Sequence, residues 1–376
     1  MTEDEPLRRN TTVRVGLLAD PGLPTELAEW LAEHLPRALR EAVSDEVGWH
    51  VTTRSEPIPL DGDGQVPITD LAREHRGAQE WDLLLVLTDL PRRIGTNPLA
   101  SAFWPEVRAG LVSVPALGAV GVRSRAMAIA LRLVGRLAGP VLDEAGVSPA
   151  RSTSPRRPVL DPTRPTPSDA SEDGAELALV GLRGRLRLLT GMVRANRPWR
   201  LVPQLSSATA AAVATAAYAS VTVSFWQMAA ALSPTRLILI NLLAVGAMTV
   251  WLIAYNRLWD RPADPAERVK AVLYNAATVL TLLVGVVCMN MLLFLVMLVA
   301  AAALIDPGYL AQTVHQPAVL DVYLQLVWLG SSIGIVAGAL GSSLESEEAV
   351  RNATYGARER ERRRAQRPVS EDTGVR

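Results

Sequence analysis

The sequence predicts a chain of two unlike halves: an α/β N-terminal domain, three-layered around a mainly parallel sheet, followed by an all-α transmembrane helical bundle. Three observations carry this. Over residues 13–140, short apolar runs alternate with stretches of helically spaced apolar residues. Residues 204–345 hold several charge-free runs, each long enough for the roughly 20 residues of a membrane-spanning helix. Between them, residues 141–175 are rich in Pro, Ser, Thr and Arg. Such a composition buries no core and reads as a flexible or extended linker.

In the N-terminal half, residues 1–12 read as a disordered leader. Its opening, MTEDEPLRRN, lacks the apolar stretch of a secretory signal, so the domain is expected in the cytoplasm. Residues 13–19 (VRVGLLA) read as a buried strand. Residues 25–41 set Leu27, Trp30, Leu31, Leu35 and Leu39 at helical spacing, with Pro24 suited to the first turn. Residues 48–55 read as a second strand and 68–75 as a short helix. The uninterrupted LLLVL of 83–87 is typical of a strand covered on both faces. Residues 111–114 read as a fourth strand, and 125–137 as an amphipathic helix that closes the domain at residue 140.

Composition excludes several chemistries. Formal net charge is zero, so no global basic field invites nucleic acid. Lys270 is the sole lysine, and the soluble half therefore has none for a Schiff base or a phosphate-binding loop. Cys288 is the sole cysteine, which rules out a disulfide within the chain and a cysteine metal site. The four histidines, His34, His50, His75 and His315, show no metal-ligand spacing. His34 and His75 are expected on solvated helix faces. No cofactor is implied, and neither G-x-x-x-x-G-K-[ST] nor G-x-S-x-G occurs.

One polar constellation stands out. If the strand order begins 2-1-3, the switch point of the sheet falls between residues 13–19 and 83–87. Asp20 and Asp89 follow those strands, Thr88, Arg92 and Arg93 adjoin the second, and Ser113 lies in the next strand. Together they would bind a polar ligand or a phosphate. The alternative is that Asp20 and Asp89 cap turns and helices.

The C-terminal half begins with a basic amphipathic helix over residues 176–203. Arg183, Arg185, Arg187, Arg194, Arg197 and Arg200 supply charge, and Leu179, Leu182, Leu186, Leu189 and Val193 recur at helical spacing. This predicts a helix lying on anionic lipids of the inner leaflet; the alternative is a soluble helix packed on the α/β domain. Spans are expected at 207–232, 237–255, 271–300 and 322–344. The charge-free stretch 271–305 is long for one span and short for two. Basic residues before the first span, in the loop 256–270 and in the tail 346–376 share one side only if the span count is even. Four spans follow, with both termini cytoplasmic in a multi-pass cell-membrane protein. In the last span, Gly330, Gly334, Gly338 and Gly341 suit close helix packing, against the Ala-rich first span or against another protomer. No Asp, Glu, Lys, Arg or His lies deep in a span, which weighs against ion-coupled transport.

Residues 194–205 (RANRPWRLVPQL), 340–350 (LGSSLESEEAV) and the TDLPRR segment resemble an uncharacterised family of actinobacterial membrane proteins. Some members carry a methylene-tetrahydrofolate dehydrogenase label. The soluble half contains neither the lysine nor the nucleotide-binding glycine loop on which that enzyme family relies. More distantly, the layout of 83–89, 112–117 and the following helix is similar to archaemetzincin-like metalloproteases, whose helix bears H-E-x-x-H. Here that helix reads RSRAMAIALRLVGRL, so the resemblance implies a relative without zinc and a scaffold or recognition role. The reading is thus a membrane-anchored cytoplasmic binding, scaffold or sensory module, non-enzymatic, with lipid, an unknown protein partner and a possible second copy as its contacts. A membrane-tethered enzyme and a small transporter or channel are the alternatives.

Overall fold

The computed structural model describes residues 12–61, 65–79, 81–94, 97–144, 163–166, 176–179, 181–261, 268–315, 317 and 320–344. The described chain divides into two compact units, with the boundary between Ala195 and Asn196.

The first unit is an α/β domain. Strand β1 (Thr12–Ala19) leads into α1 (Leu23–Ala42), then β2 (Gly48–Ser55), α2 (Ile68–Gln79) and β3 (Leu83–Thr88). A hairpin of β4 (Arg92–Ile94) and β5 (Asn97–Trp104) precedes β6 (Ala109–Ser113) and α3 (Val122–Glu144). Strands β7 (Thr163–Thr166) and β8 (Glu176–Leu179) complete a sheet of order β2-β1-β3-β6-β5-β8-β7, with β4 on β5. The pairs β1–β2, β1–β3 and β3–β6 are parallel; β5 pairs antiparallel with β4, β6 and β8, as does β7 with β8.

The sheet is therefore mixed, which corrects the expected mainly parallel arrangement. The reason is the chain length between β5 and β6. Residues 105–108 make a turn, closed by a bond from the Arg108 amide to the Pro105 carbonyl, and a turn that short allows only an antiparallel return. The linker is corrected too. Residues 163–166 pair on the sheet edge, α3 runs to Glu144, and residues 176–179 are strand rather than the start of a helix.

Helices cover both faces. Leu84, Val86 and Leu111 point into one cluster with Ile68, Leu71 and Ala72 of α2, and with Trp81. On the other face, Gly110 lies beneath Leu133 and Leu137 of α3. Gly16 of β1 is required by the Trp81 indole, which lies where a Cβ would stand. Helix α4 (Gly181–Asn196) also packs here, through buried Leu188 and Met192, with Gly191 against the Pro115 carbonyl.

The second unit is helical. The turn Pro198–Arg200 and α5 (Leu201–Gln204) lead into α6 (Ser206–Ser220) and α7 (Val223–Ala231), followed by α8 (Pro234–Tyr255), α9 (Arg268–Leu304), α10 (Pro307–Val314) and α11 (Leu320–Gly341). Three helices, α8, α9 and α11, are long and apolar enough to cross a membrane. The stretch expected as one span over 207–232 is instead two helices bent by 90° at Val221 and Thr222. The bend is held by Trp226, whose indole N–H donates to the Ser220 carbonyl at 2.6 Å. The residues from Arg268 to Leu304 form one continuous helix of 37 residues, so 271–305 holds one span and not two.

Candidate functional site

The order β2-β1-β3 puts the switch point between β1 and β3, and Asp20 and Asp89 stand beyond their carboxyl ends. Asp20 is fully buried. Its Oδ1 accepts the Ile58 amide at 2.9 Å; its Oδ2 accepts the Thr88 hydroxyl at 2.8 Å and the Asp89 amide at 3.2 Å. The Thr88 Oγ1 in turn accepts the Leu90 amide at 3.1 Å, and the Ser113 hydroxyl donates to the Leu90 carbonyl at 2.9 Å. Three buried side chains, Asp20, Thr88 and Ser113, thus bind the crossing loops to β1, β3 and β6. A carboxylate taken out of water needs such donors, since an unpaired one costs several kcal/mol. Asp89 is buried beside them. Arg92 and Arg93 begin β4, opposite Leu99 and Pro98; the Arg93 side chain lies outside the described residues.

A second polar group lies along the same edge. Glu56, just past β2, places one carboxylate oxygen 2.8 Å from Arg54 Nε and the other 3.0 Å from His75 Nε2. His75 is 3% exposed and stacks on Trp81 with ring centroids 6.0 Å apart. This overturns the solvated face expected for His75. The signal was in the spacing: residues 68, 71, 72 and 75 share one face of α2, and that face is the buried one. Its Nδ1 is buried and has no partner among the described residues. An imidazole fixed by a carboxylate can move a proton, provided that a reacting group reaches it. Among the described residues, no three His, Cys, Asp or Glu are grouped to hold a metal ion.

The six arginines expected at the membrane surface fall into two sets. Arg194 donates to the Ala119 carbonyl, and Arg187 lies against Gly118, both within the α/β domain. Arg183, Arg185 and Arg200 are exposed, and Arg197 is half-buried with a positive φ of 50°.

In the second unit, Gly334, Gly338 and Gly341 of α11 face α6. A Cβ on Gly334 would stand 2.8 Å from the Ala212 carbonyl oxygen, and one on Gly338 3.0 Å from that of Ala208. One on Gly341 would meet Ala211 Cβ at 2.7 Å, and one on Gly330 would meet Met297 at 3.3 Å. Neutral side chains link the helices. Asn241 of α8 donates to Ser332 of α11 at 3.0 Å and accepts from Asn290 of α9 at 3.5 Å. Around them the core is Ala, Leu, Met and Val: Ala208, Ala212, Met248, Leu282, Val286 and Met289.

No family model matches the chain, and neither a curated protein nor a solved structure matches it.

Proposed function

We propose that the protein is a membrane anchor of four crossings that holds a cytoplasmic α/β domain at the inner face of the cell membrane, and that this domain recognises a ligand or protein partner without catalysing a reaction. The crossings are α6 with its bent continuation α7, then α8, α9 and α11. Helices α7 and α10 meet through Trp226 and Tyr309, with ring centroids 5.7 Å apart, so the C-terminal ends of α6 and α9 share one end of the bundle. At the opposite end, the Tyr255 hydroxyl donates to the Ser343 carbonyl, which joins the C-terminal ends of α8 and α11.

Charge is weighted toward one of these ends. Arg257, Arg261, Arg268 and Lys270 lie at the second; the first has Arg236, in the first turn of α8, and the loop 306–319 adds no basic residue other than His315. The bias of Lys and Arg toward the cytoplasm supports placing the second end, and both termini, inside. Exposed aromatic residues agree: Trp199, Trp251, Tyr255 and Trp259 at the basic end, Tyr218 and Tyr309 at the other. From Pro234 to Trp251, α8 rises about 26 Å, close to the roughly 30 Å of hydrocarbon.

The non-catalytic part of this reading rests on one observation. The Asp20 carboxylate is occupied by three donors of its own fold, and Thr88 and Ser113 act on loop backbone. The test is crosslinking of the full-length protein in its native membrane, with a carboxyl-reactive reagent because Lys270 is the sole lysine. The expected result is a recurrent partner joined to the α/β domain. Purified protein that turns over a substrate, and loses turnover in a stably folded Asp89→Ala variant, would overturn the proposal. A second reading, an enzyme, is favoured by His75 and Glu56 alone; turnover lost in His75→Gln would select it.

A further inference from the structure

Helix α4 has two apolar faces. At 100° per residue, Gly184, Leu188, Gly191, Met192 and Ala195 share one side, and all five are buried. On roughly the opposite side, Leu182, Leu186, Leu189 and Val193 form a second stripe. Leu182 is 73% exposed and Leu186 52%. Arg183 and Arg185 flank this stripe on either side, and both are exposed. A helix that served only to pack on the α/β domain would have no use for the second stripe.

The surroundings specify what covers it. Asn196, the last residue of α4, is buried and donates to the Thr281 hydroxyl of α9 at 3.0 Å. Counting back from Leu304 at 1.5 Å per residue, about 30 Å of hydrocarbon ends near residue 284. Thr281 therefore lies at the inner boundary of the bilayer, and Asn196, with which the helical unit begins, is bonded to it there. No Asp or Glu occurs between Glu176 and Asp260, so the charge that this segment itself carries is uniformly positive. The exposed Trp199 indole and Arg200 follow within four residues. Leucines between arginines, with an adjacent indole, fit the headgroup boundary of a negatively charged leaflet.

The geometry points to α4 as a lipid-reading helix: its Leu182–Leu186 stripe docks on anionic phospholipid, with Arg183 and Arg185 on the headgroups. The domain packed on its other face is thereby held against the membrane only where the leaflet is negatively charged. This rests on the crossings proposed above, so the test carries a control for them.

Full-length protein with Cys288→Ala receives a single spin label at Leu186→Cys, or at Val250→Cys on the outward face of α8. Each is placed in nanodiscs of phosphatidylcholine, with or without phosphatidylglycerol. At Leu186→Cys, collisions with oxygen should exceed those with a water-soluble nickel chelate only when phosphatidylglycerol is present. Arg183→Gln with Arg185→Gln should weaken this docking by about fivefold for each charge removed. A label that stays in water, is shielded from both reagents, or sinks equally into both lipids overturns the inference. The Val250→Cys label should report lipid throughout; if it does, a failure at Leu186→Cys concerns α4 alone. If it does not, the crossings themselves fall, and this inference with them.

Discussion

The two units bury polar groups by different means. The α/β domain centres an ionisable carboxylate, Asp20, under three donors, and a carboxylate–imidazole pair, Glu56 and His75. The helical unit has backbone bonds satisfied within each helix and needs few side-chain partners. It joins its helices by the removal of side chains at Gly334, Gly338 and Gly341, and by neutral amides and hydroxyls. The difference teaches where each unit is fragile: the first fails when a donor loses its acceptor, the second when an atom is added.

Substitutions sharpen this contrast. The largest loss is expected for Asp20→Ala, which orphans three donors; about 4 kcal/mol should be missing in denaturant melts followed by a probe in the α/β domain. Gly334→Leu comes next. Its new atoms meet the α6 backbone, and a thermal melt in detergent should register about 3 kcal/mol, with the α/β domain's own transition unmoved. His75→Phe keeps an aromatic ring on Trp81 but removes the partner of Glu56, for about 1.5 kcal/mol in the same denaturant assay. The smallest effect belongs to Asn241→Leu, about 0.6 kcal/mol, as for interhelical hydrogen bonds in membranes generally. A cost for Asn241→Leu as large as that for Asp20→Ala would break the comparison.

Much of this was legible in the residues. Apolar runs located β1 and β3, the acids after them located the switch point, and the charge-free length of α9 with the parity of basic flanks gave a single helix. What the pattern hid depends on partners distant in sequence. Strand β5 carries no clean alternation, and β7 lies in a Pro-rich stretch; each is strand because a neighbouring backbone pairs with it. The break after Ser220 has no Pro or Gly to announce it and depends on the Trp226 indole. Asp20 and Thr88 were expected to bind a polar ligand, with capping as the alternative for Asp20, and in the structure both are buried with their oxygens bonded to the fold. The double face of α4 was concealed because both of its apolar stripes merge into one amphipathic count.

The bend between α6 and α7 has a consequence for the surrounding lipid. Fifteen helical residues in α6 rise only about 22 Å, whereas α9, beside it, reaches about 55 Å. In the four-crossing arrangement proposed above, acyl chains flanking α6 would meet a hydrophobic wall roughly 8 Å shorter than the average bilayer core, and those flanking α9 would meet no such deficit. Such a protein would impose a one-sided thinning on its lipid annulus, and in a mixed membrane it would gather shorter chains along its α6 flank.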